Sequence, residues 1–276
     1  MKKIVTIQDI SCVGQCSLTV ALPIISAFGI ETAVIPTAVL STHTAFSNFT
    51  FCDLTNELPK IEEEWKKLQI QFDGFYTGYV GSVEQIKYIL SIFNSTANKN
   101  ALKLVDPCMA DHGKLYPGFV ESFPNEMLKL CKVADVIVPN LTEACLLLGI
   151  PYKNYPIDEL KQIVKKLYEL TKAKVVLTGV SRTEEALGAL SYDGIDFFET
   201  TTKYIPLAFH GTGDCFASAL FGALIKGYSL FEATKIACEF TYLSVSFTEK
   251  DAKEHWYGVH FEKALGYITK LDLVTE

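Results

Sequence analysis

Val136-Ile137-Val138-Pro139-Asn140-Leu141-Thr142-Glu143 is a short β-branched run that passes directly into the start of a helix. The same kind of brief apolar run recurs at Lys3 to Gln8, Thr32 to Thr37, Gly74 to Thr77, Leu102 to Asp106 and Lys174 to Thr178. Between these runs the period changes. Val83, Ile86, Leu90 and Phe93 share one helical face, as do Leu160, Ile163, Val164, Leu167 and Leu170, with lysines and glutamates opposite. Strands alternating with amphipathic helices mark βαβ units, because a parallel neighbour is reached only by a long crossover. The chain is therefore expected to form an α/β, doubly wound, mainly parallel sheet with helices on both faces. Ala186 to Tyr192 and Ile195 to Thr200 flank Asp193-Gly194, a pair suited to the positive φ angles of a two-residue turn, which predicts an antiparallel edge hairpin. Helices follow from near Gly213, from about Leu230 to Phe247 and from about Phe261 to Leu271. No repeat, low-complexity tract or linker interrupts the pattern, so residues 1–276 are read as one domain.

Composition narrows the function. Of the residues, 49% are apolar and 21% charged, which implies a large packed core rather than disorder. The net charge of −7, one arginine (Arg182) and the lack of a basic run argue against nucleic acid as a partner. No apolar stretch reaches the roughly 18 residues needed to span a bilayer. Lys2 and Lys3 resemble the start of an export signal, but Gln8 and Asp9 break the apolar run too early. The eight cysteines are scattered, and the close pair Cys12 and Cys16 lacks the further ligands of a zinc site. Most are expected to be small buried hydrophobes in a reducing, cytoplasmic setting. His112, His255 and His260 are expected at the surface, and Trp65, in a stripe with Leu58, Ile61 and Leu68, in the core.

The chemistry concentrates in three places. His210-Gly211-Thr212-Gly213-Asp214-Cys215-Phe216 sets two glycines and an acid at the head of a small-residue helix. Glycines let the backbone approach a ligand, and free amides at a helix N-terminus, reinforced by its dipole, form a site for a phosphoryl group. A carboxylate beside such a site would repel a resting anion unless it has a task. The task that fits is accepting the proton of an alcohol that attacks a γ-phosphate. The plain alternative is a first-turn acid behind a glycine loop. Asn140 and Glu143 lie three apart on one side of a first helical turn, where they either hold waters of a magnesium ion or cap the helix. Asp106, in Leu104-Val105-Asp106-Pro107-Cys108-Met109-Ala110-Asp111, ends a buried strand, where ligands of open α/β sheets collect. It either reaches metal and phosphates or merely opens an Asp-Pro turn. With one arginine in the chain, phosphate charge would be met by backbone amides, magnesium and a lysine.

Taken in order, Ile7-Gln8, Leu40-Ser41-Thr42-His43-Thr44, Thr77-Gly78-Tyr79, Asp106-Pro107, Pro139-Asn140-Leu141-Thr142-Glu143 and Gly211-Thr212-Gly213-Asp214 resemble the motifs of the pyridoxal and pyridoxamine kinases, a branch of the ribokinase superfamily. The resemblance covers nearly the whole chain. It implies a ribokinase-like fold and ATP-dependent phosphorylation of the 5′-hydroxymethyl group of vitamin B6, as pyridoxal, pyridoxine or pyridoxamine. It implies that Asp214 is the catalytic base, and that the amides of Gly211, Thr212, Gly213 and Asp214 bind the transferring phosphoryl group. Asp106, Asn140 and Glu143 would serve Mg-ATP, with Asp106 and Glu143 at the magnesium and Asp111, Tyr116 and Thr178 near the nucleotide. Asp9, His43, Thr44 and Tyr79 would take the vitamin. ATP and Mg2+ are thus the implied co-substrate and cofactor, while a monovalent cation and a homodimer stay open.

The chain also departs from that pattern. Asp9 stands where many relatives carry serine, and an anion there would favour pyridoxamine through a charge-assisted bond. Val138 replaces a threonine that touches the nucleotide in some relatives, and Asp111-His112-Gly113-Lys114 is shorter than their acidic loop. Cys215 lies in a first helical turn, where a dipole lowers a thiol pKa, but with Asp214 present as base it is read as structural. Two other readings remain. One is a ribokinase-type kinase for a hydroxymethylpyrimidine or a sugar, which would share the phosphate machinery. The other is a non-catalytic ligand-binding regulator, against which the intact Gly-Thr-Gly-Asp argues.

Overall fold

The computed structural model of the protein describes residues 1–183 and 185–271, the side chain of Arg182 excepted. The first half of the chain comprises β1 (Lys3–Ser11), α1 (Leu18–Ala27), β2 (Glu31–Leu40), β3 (Phe51–Asp53), α2 (Leu58–Lys67), β4 (Phe72–Thr77), α3 (Val83–Thr96), β5 (Ala97–Val105), β6 (Ala110–Asp111) and β7 (Lys114–Leu115). The second half continues with α4 (Phe123–Cys131), β8 (Val136–Ile137), α5 (Leu141–Leu148), α6 (Ile157–Thr171), β9 (Lys174–Thr183), β10 (Ala186–Tyr192), β11 (Phe197–Lys203), α7 (Thr212–Ile225), α8 (Leu230–Thr248) and α9 (Phe261–Ile268).

Nine strands form one sheet in the order β11-β10-β9-β8-β5-β4-β1-β2-β3. From β2 through β1, β4, β5 and β8 to β9 the pairing is parallel. β3 closes one edge antiparallel to β2, and the hairpin β10–β11 closes the other beside β9. The helices divide between the two faces. Leu58, Ile86, Met127, Leu147 and Ile163 bring α2 to α6 onto one face. Val20, Ile24, Leu220, Ala237 and Ala264 bring α1 and α7 to α9 onto the other. β1 leads outward through α1 to β2, whereas β4 leads through α3 to β5 on the opposite side. The loops after these two adjacent strands therefore part, and a crevice opens at the C-terminal strand ends.

The doubly wound sheet and an antiparallel edge hairpin are as the alternation predicts, but the hairpin turn is longer than the two residues expected: β10 ends at Tyr192 and pairs with Phe197 across residues 193–196, with Gly194 but not Asp193 at positive φ. Other details differ too. β3 escapes a reading based on hydrophobic runs because all three of its residues are exposed and pair only through the backbone. Trp65 packs on the core, 4.9 Å from the Phe72 ring, but Leu68 is 67% exposed because α2 has ended at Lys67. The cysteines are all free, yet fewer are buried than composition suggests. Cys131, Cys145, Cys215 and Cys238 are buried; Cys16 and Cys108 are half-buried, and Cys12 and Cys52 exposed, because these four lie in loops or on the edge strand. His112 is exposed as expected. His255 and His260 are instead half-buried, their rings tilted 39° to each other with centroids 4.0 Å apart, and His260 Nε2 is 2.7 Å from Asp251 Oδ2. Among the described residues no helix is long and apolar enough to cross a membrane.

Candidate active site

α7 starts behind Gly211, whose φ of 79° lies in the left-handed region. A side chain has no room there, since a Cβ would sit 1.8 Å from the Gln15 carbonyl oxygen. The first helical bond runs from Cys215 N–H to the Gly211 carbonyl (2.9 Å), and no side chain caps the helix. The amides of Thr212, Gly213 and Asp214 thus precede the ladder of α7. All of them line a cavity of about 570 Å³ at the strand ends. Asp214 opens on this cavity. Burial pushes its pKa up to about 7; the Ser17 backbone amide pulls it down and the nearby Asp9 charge raises it. A carboxyl poised near neutrality can hold a proton and release it within one cycle, as a general base must.

Asp106, Asp111, Tyr116, Asn140, Glu143 and Thr178 line the same cavity. Of the two readings of Asn140 and Glu143, the structure builds the cap. Asn140 Oδ1 accepts from Glu143 N (3.0 Å) and Glu143 Oε2 accepts from Asn140 N (2.9 Å), a reciprocal capping box. The other Glu143 oxygen accepts from Met109 N (3.1 Å), and Asn140 Nδ2 donates to the Ala110 carbonyl (2.8 Å). The pair therefore ties the loop after β5 to the head of α5. Glu143 is 2% exposed; burial pushes its pKa up while backbone N–H groups of Asn140, Met109 and Ala110 hold it down. Asp106 is placed differently. It faces the cavity half-buried, and burial, then the Glu143 and Asp214 charges, push it well above the carboxylate range.

A dication would relieve that crowding of carboxyls, and an oxygen donor suits a hard ion such as magnesium. Among the described residues no group of three or more His, Cys, Asp or Glu surrounds a metal position. Phosphate oxygens and water would then supply most of the ligands. Other walls of the cavity left no mark in the sequence. They include Thr202, Lys203 and Tyr204 at the end of β11, Leu207, and Tyr242 and Val245 on α8. Lys203 is the lysine on this wall, and Val138 lines it where a threonine contact would be missing.

Asp9, His43, Thr44 and Tyr79 do not line the large cavity. Three of them gather beside it at the end of β1. Asp9 is 5% exposed, with Oδ1 accepting the Ser17 hydroxyl (2.5 Å) and Oδ2 the Ser11 hydroxyl (3.1 Å). Burial raises its pKa, and the two serines and His43 lower it. The free anion expected for a substrate amine is thus already engaged. His43 Nδ1 accepts the Ala45 N–H (3.2 Å), which places the ring proton on Nε2, 2.9 Å from the Tyr257 carbonyl. Its ring packs against Phe46 and His210 at 4.9 and 4.7 Å. Burial, then the Asp9 charge, push the Tyr79 hydroxyl up to about 12, and its ring lies 5.7 Å from Phe119. Thr44, next to His43 in the chain, is exposed. Cys215 is sealed in the core, where burial and then Asp214 push its thiol far up, in keeping with a structural role.

The profile of the phosphomethylpyrimidine kinase family matches residues 25–259. A Bacteroides thetaiotaomicron protein, provisionally named a phosphomethylpyrimidine kinase and crystallised with pyridoxal, is 38% identical with a TM-score of 0.92, over 97% of this chain and 95% of that one. The pyridoxal kinase of Lactobacillus plantarum is 33% identical with a TM-score of 0.91, over 99% of this chain and 98% of its own. The pyridoxine kinase of Bacillus subtilis is 30% identical over 62% of this chain, a match spanning 63% of that enzyme.

Proposed function

Because the chain belongs to the phosphomethylpyrimidine kinase family, we infer that it transfers the γ-phosphoryl group of ATP to the 5′-hydroxymethyl oxygen of a vitamin B6 compound. The observation that carries this reading is Asp214, raised to about 7, beside the amides that open α7 and on the wall of the large cavity. ATP would lie in that cavity, with its phosphates toward α7. The substrate hydroxyl would enter from the side of Asp9, His43 and Tyr79, where the Asp9 charge is near enough to act on Asp214. As the oxygen–phosphorus bond forms and the bond to the ADP oxygen breaks, the hydroxyl proton passes to Asp214. The amides of Thr212, Gly213 and Asp214 would stabilise charge on the equatorial oxygens, because they are fixed before the reaction begins. Asp106 would hold magnesium through water, the ion supplying charge neutralisation at the phosphates.

Two features favour vitamin B6 over a hydroxymethylpyrimidine. The 38%-identical neighbour was crystallised with pyridoxal, and the sequence Thr42-His43-Thr44 places a buried imidazole at the hydroxyl-bearing side. The full chain acting as one kinase domain is part of the same reading, supported by a sheet that runs from Lys3 to Lys203 with α7 to α9 packed back on it. Turnover is read by coupled ADP release against pyridoxal, pyridoxine, pyridoxamine and hydroxymethylpyrimidine. The B6 compounds should show the higher kcat/KM. A preference for the pyrimidine would replace the substrate, and ATP turnover with none of the four would remove the assignment.

A further inference from the structure

The segment between β1 and α1 is wedged between the two halves of the site. On one side Gly14 lies against the His43 ring, where a Cβ would sit 2.2 Å from Cδ2. On the other side the Gln15 carbonyl oxygen lies against the turn at Gly211. What holds this segment comes from the far end of the chain. The Tyr257 carbonyl accepts His43 Nε2–H at 2.9 Å and the Gln15 N–H at 3.5 Å. Gly258 follows without a side chain, and a Cβ there would meet Gln15 Cβ at 2.5 Å and Gln15 Oε1 at 3.0 Å. Gln15 Nε2 donates to Glu262 Oε1 on α9 at 2.5 Å, a charge-assisted bond across 247 positions of sequence. The far segment is braced in turn. His260 N–H donates to the Thr248 hydroxyl (2.8 Å), and the Trp256 ring packs on Phe46 with centroids 4.6 Å apart. A loop fixed by this many contacts to distant elements transmits a displacement instead of absorbing it.

We propose that Gln15 is a positioning residue for phosphoryl transfer: held from behind by Gly258 and Glu262, it sets the Gly211 turn against the His43 loop and so fixes the separation of donor and acceptor, a role that rests on Gly211 to Asp214 being the phosphoryl site. Gln15 does not line the large cavity, so it acts through the backbone of Gly211. The nucleotide wall from Asp106 to Thr178 lies on other elements. Moving Gln15 therefore changes the alignment of the reacting groups and leaves nucleotide affinity as it is.

Gly258→Ala displaces Gln15 without touching the site. The new Cβ would lie 2.5 Å from Gln15 Cβ, against roughly 3.5 Å for an ordinary carbon–carbon contact, so the two segments must part by about 1 Å. With ATP and pyridoxal, kcat should fall on the order of 10², the effect of a misplacement of that size. The Kd for ADP, read by calorimetry on the same variant, should stay native. A native kcat, or a loss of ADP affinity as large as the loss of kcat, would overturn the proposal. If Gly258→Ala does not fold, an exchange of the two side chains decides. Gln15→Glu sets two carboxylates against each other and should lose about tenfold in kcat, whereas Gln15→Glu with Glu262→Gln reverses donor and acceptor, restores the bond and should return kcat to within about threefold of native. Full activity in Gln15→Glu alone, or no recovery in the exchanged pair, counts against the proposal. A native enzyme that fails to phosphorylate pyridoxal removes the function itself, and the native control in each assay tells that failure apart.

Discussion

Gly211→Ala tests the anion site through its most constrained atom. At φ 79° an alanine is forced into the left-handed region, at a cost of about 1–2 kcal/mol. Its Cβ would also lie 1.8 Å from the Gln15 carbonyl oxygen, against an ordinary carbon–oxygen contact of roughly 3.3 Å. The turn at Gly211 and the segment at Gln15 must therefore part by about 1.5 Å, the difference between those two separations. Because the amides of Thr212, Gly213 and Asp214 follow directly, that movement displaces the phosphoryl site by a comparable distance. Misplacement on the order of 1 Å costs about 10² in rate. Steady-state ADP release should show a drop of that size in kcat, and thermal melting of the unliganded protein a fall of roughly 2–8 °C. Gly266→Ala, in α9 with nothing within 4 Å of its Cβ, serves as control: kcat should stay native and Tm should hold or rise slightly, since alanine favours a helix interior. Native kcat in Gly211→Ala would refute the reasoning, since the amides could then tolerate the shift that the geometry demands.

Two further outcomes follow from the buried carboxyls. Asp214 titrates at about 7 when folded against an ordinary 3.8, so the folded state keeps a proton that the unfolded chain has lost. Its contribution to stability is complete below about 3.8 and disappears as pH rises through about 7. Asp214→Asn should therefore melt above native at pH 8, with the gap closing toward pH 4, and a variant less stable than native at pH 8 would contradict the sign. Asn140→Ala removes a helix cap worth about 1 kcal/mol and the tether to Ala110. It should lower Tm and raise the KM for ATP with little change in kcat, and an unchanged KM would separate the capping box from nucleotide binding.

The fold was legible where burial repeats along the chain. β1, β2, β4, β5, β8 and β9 announce themselves as short apolar runs because the central strands are covered on both faces. β3 and the two-residue strands β6 and β7 leave no such trace, since they are exposed or too short to show a period. In the site, Gly211 to Asp214 stood out because two glycines and an acid at a helix head suit a close backbone approach to a ligand, although a first-turn acid behind a glycine loop fits the same residues and only the ordered set of motifs tipped the reading. Asn140 and Glu143 were legible as a pair but not as a role: the spacing suits both a cap and a metal, and the hydrogen bonds to Met109 and Ala110 that decide for the cap come from a distant loop. Gln15 was not visible at all, because its partners Gly211, Tyr257, Gly258 and Glu262 all lie in the last third of the chain. The walls built by Lys203 and Tyr242 lie on elements whose sequence shows only their packing faces.

In the proposed reaction a carboxylate at the head of α7 takes the proton of the attacking alcohol. Replacing Asp214 with asparagine keeps its size and leaves the proposed nucleotide wall from Asp106 to Thr178 untouched. Measured with ATP and pyridoxal, kcat should fall by roughly 10²- to 10⁴-fold while the Kd for nucleotide stays at its native value. Turnover by Asp214→Asn within about threefold of native would contradict the claim, because general-base loss cannot be that mild.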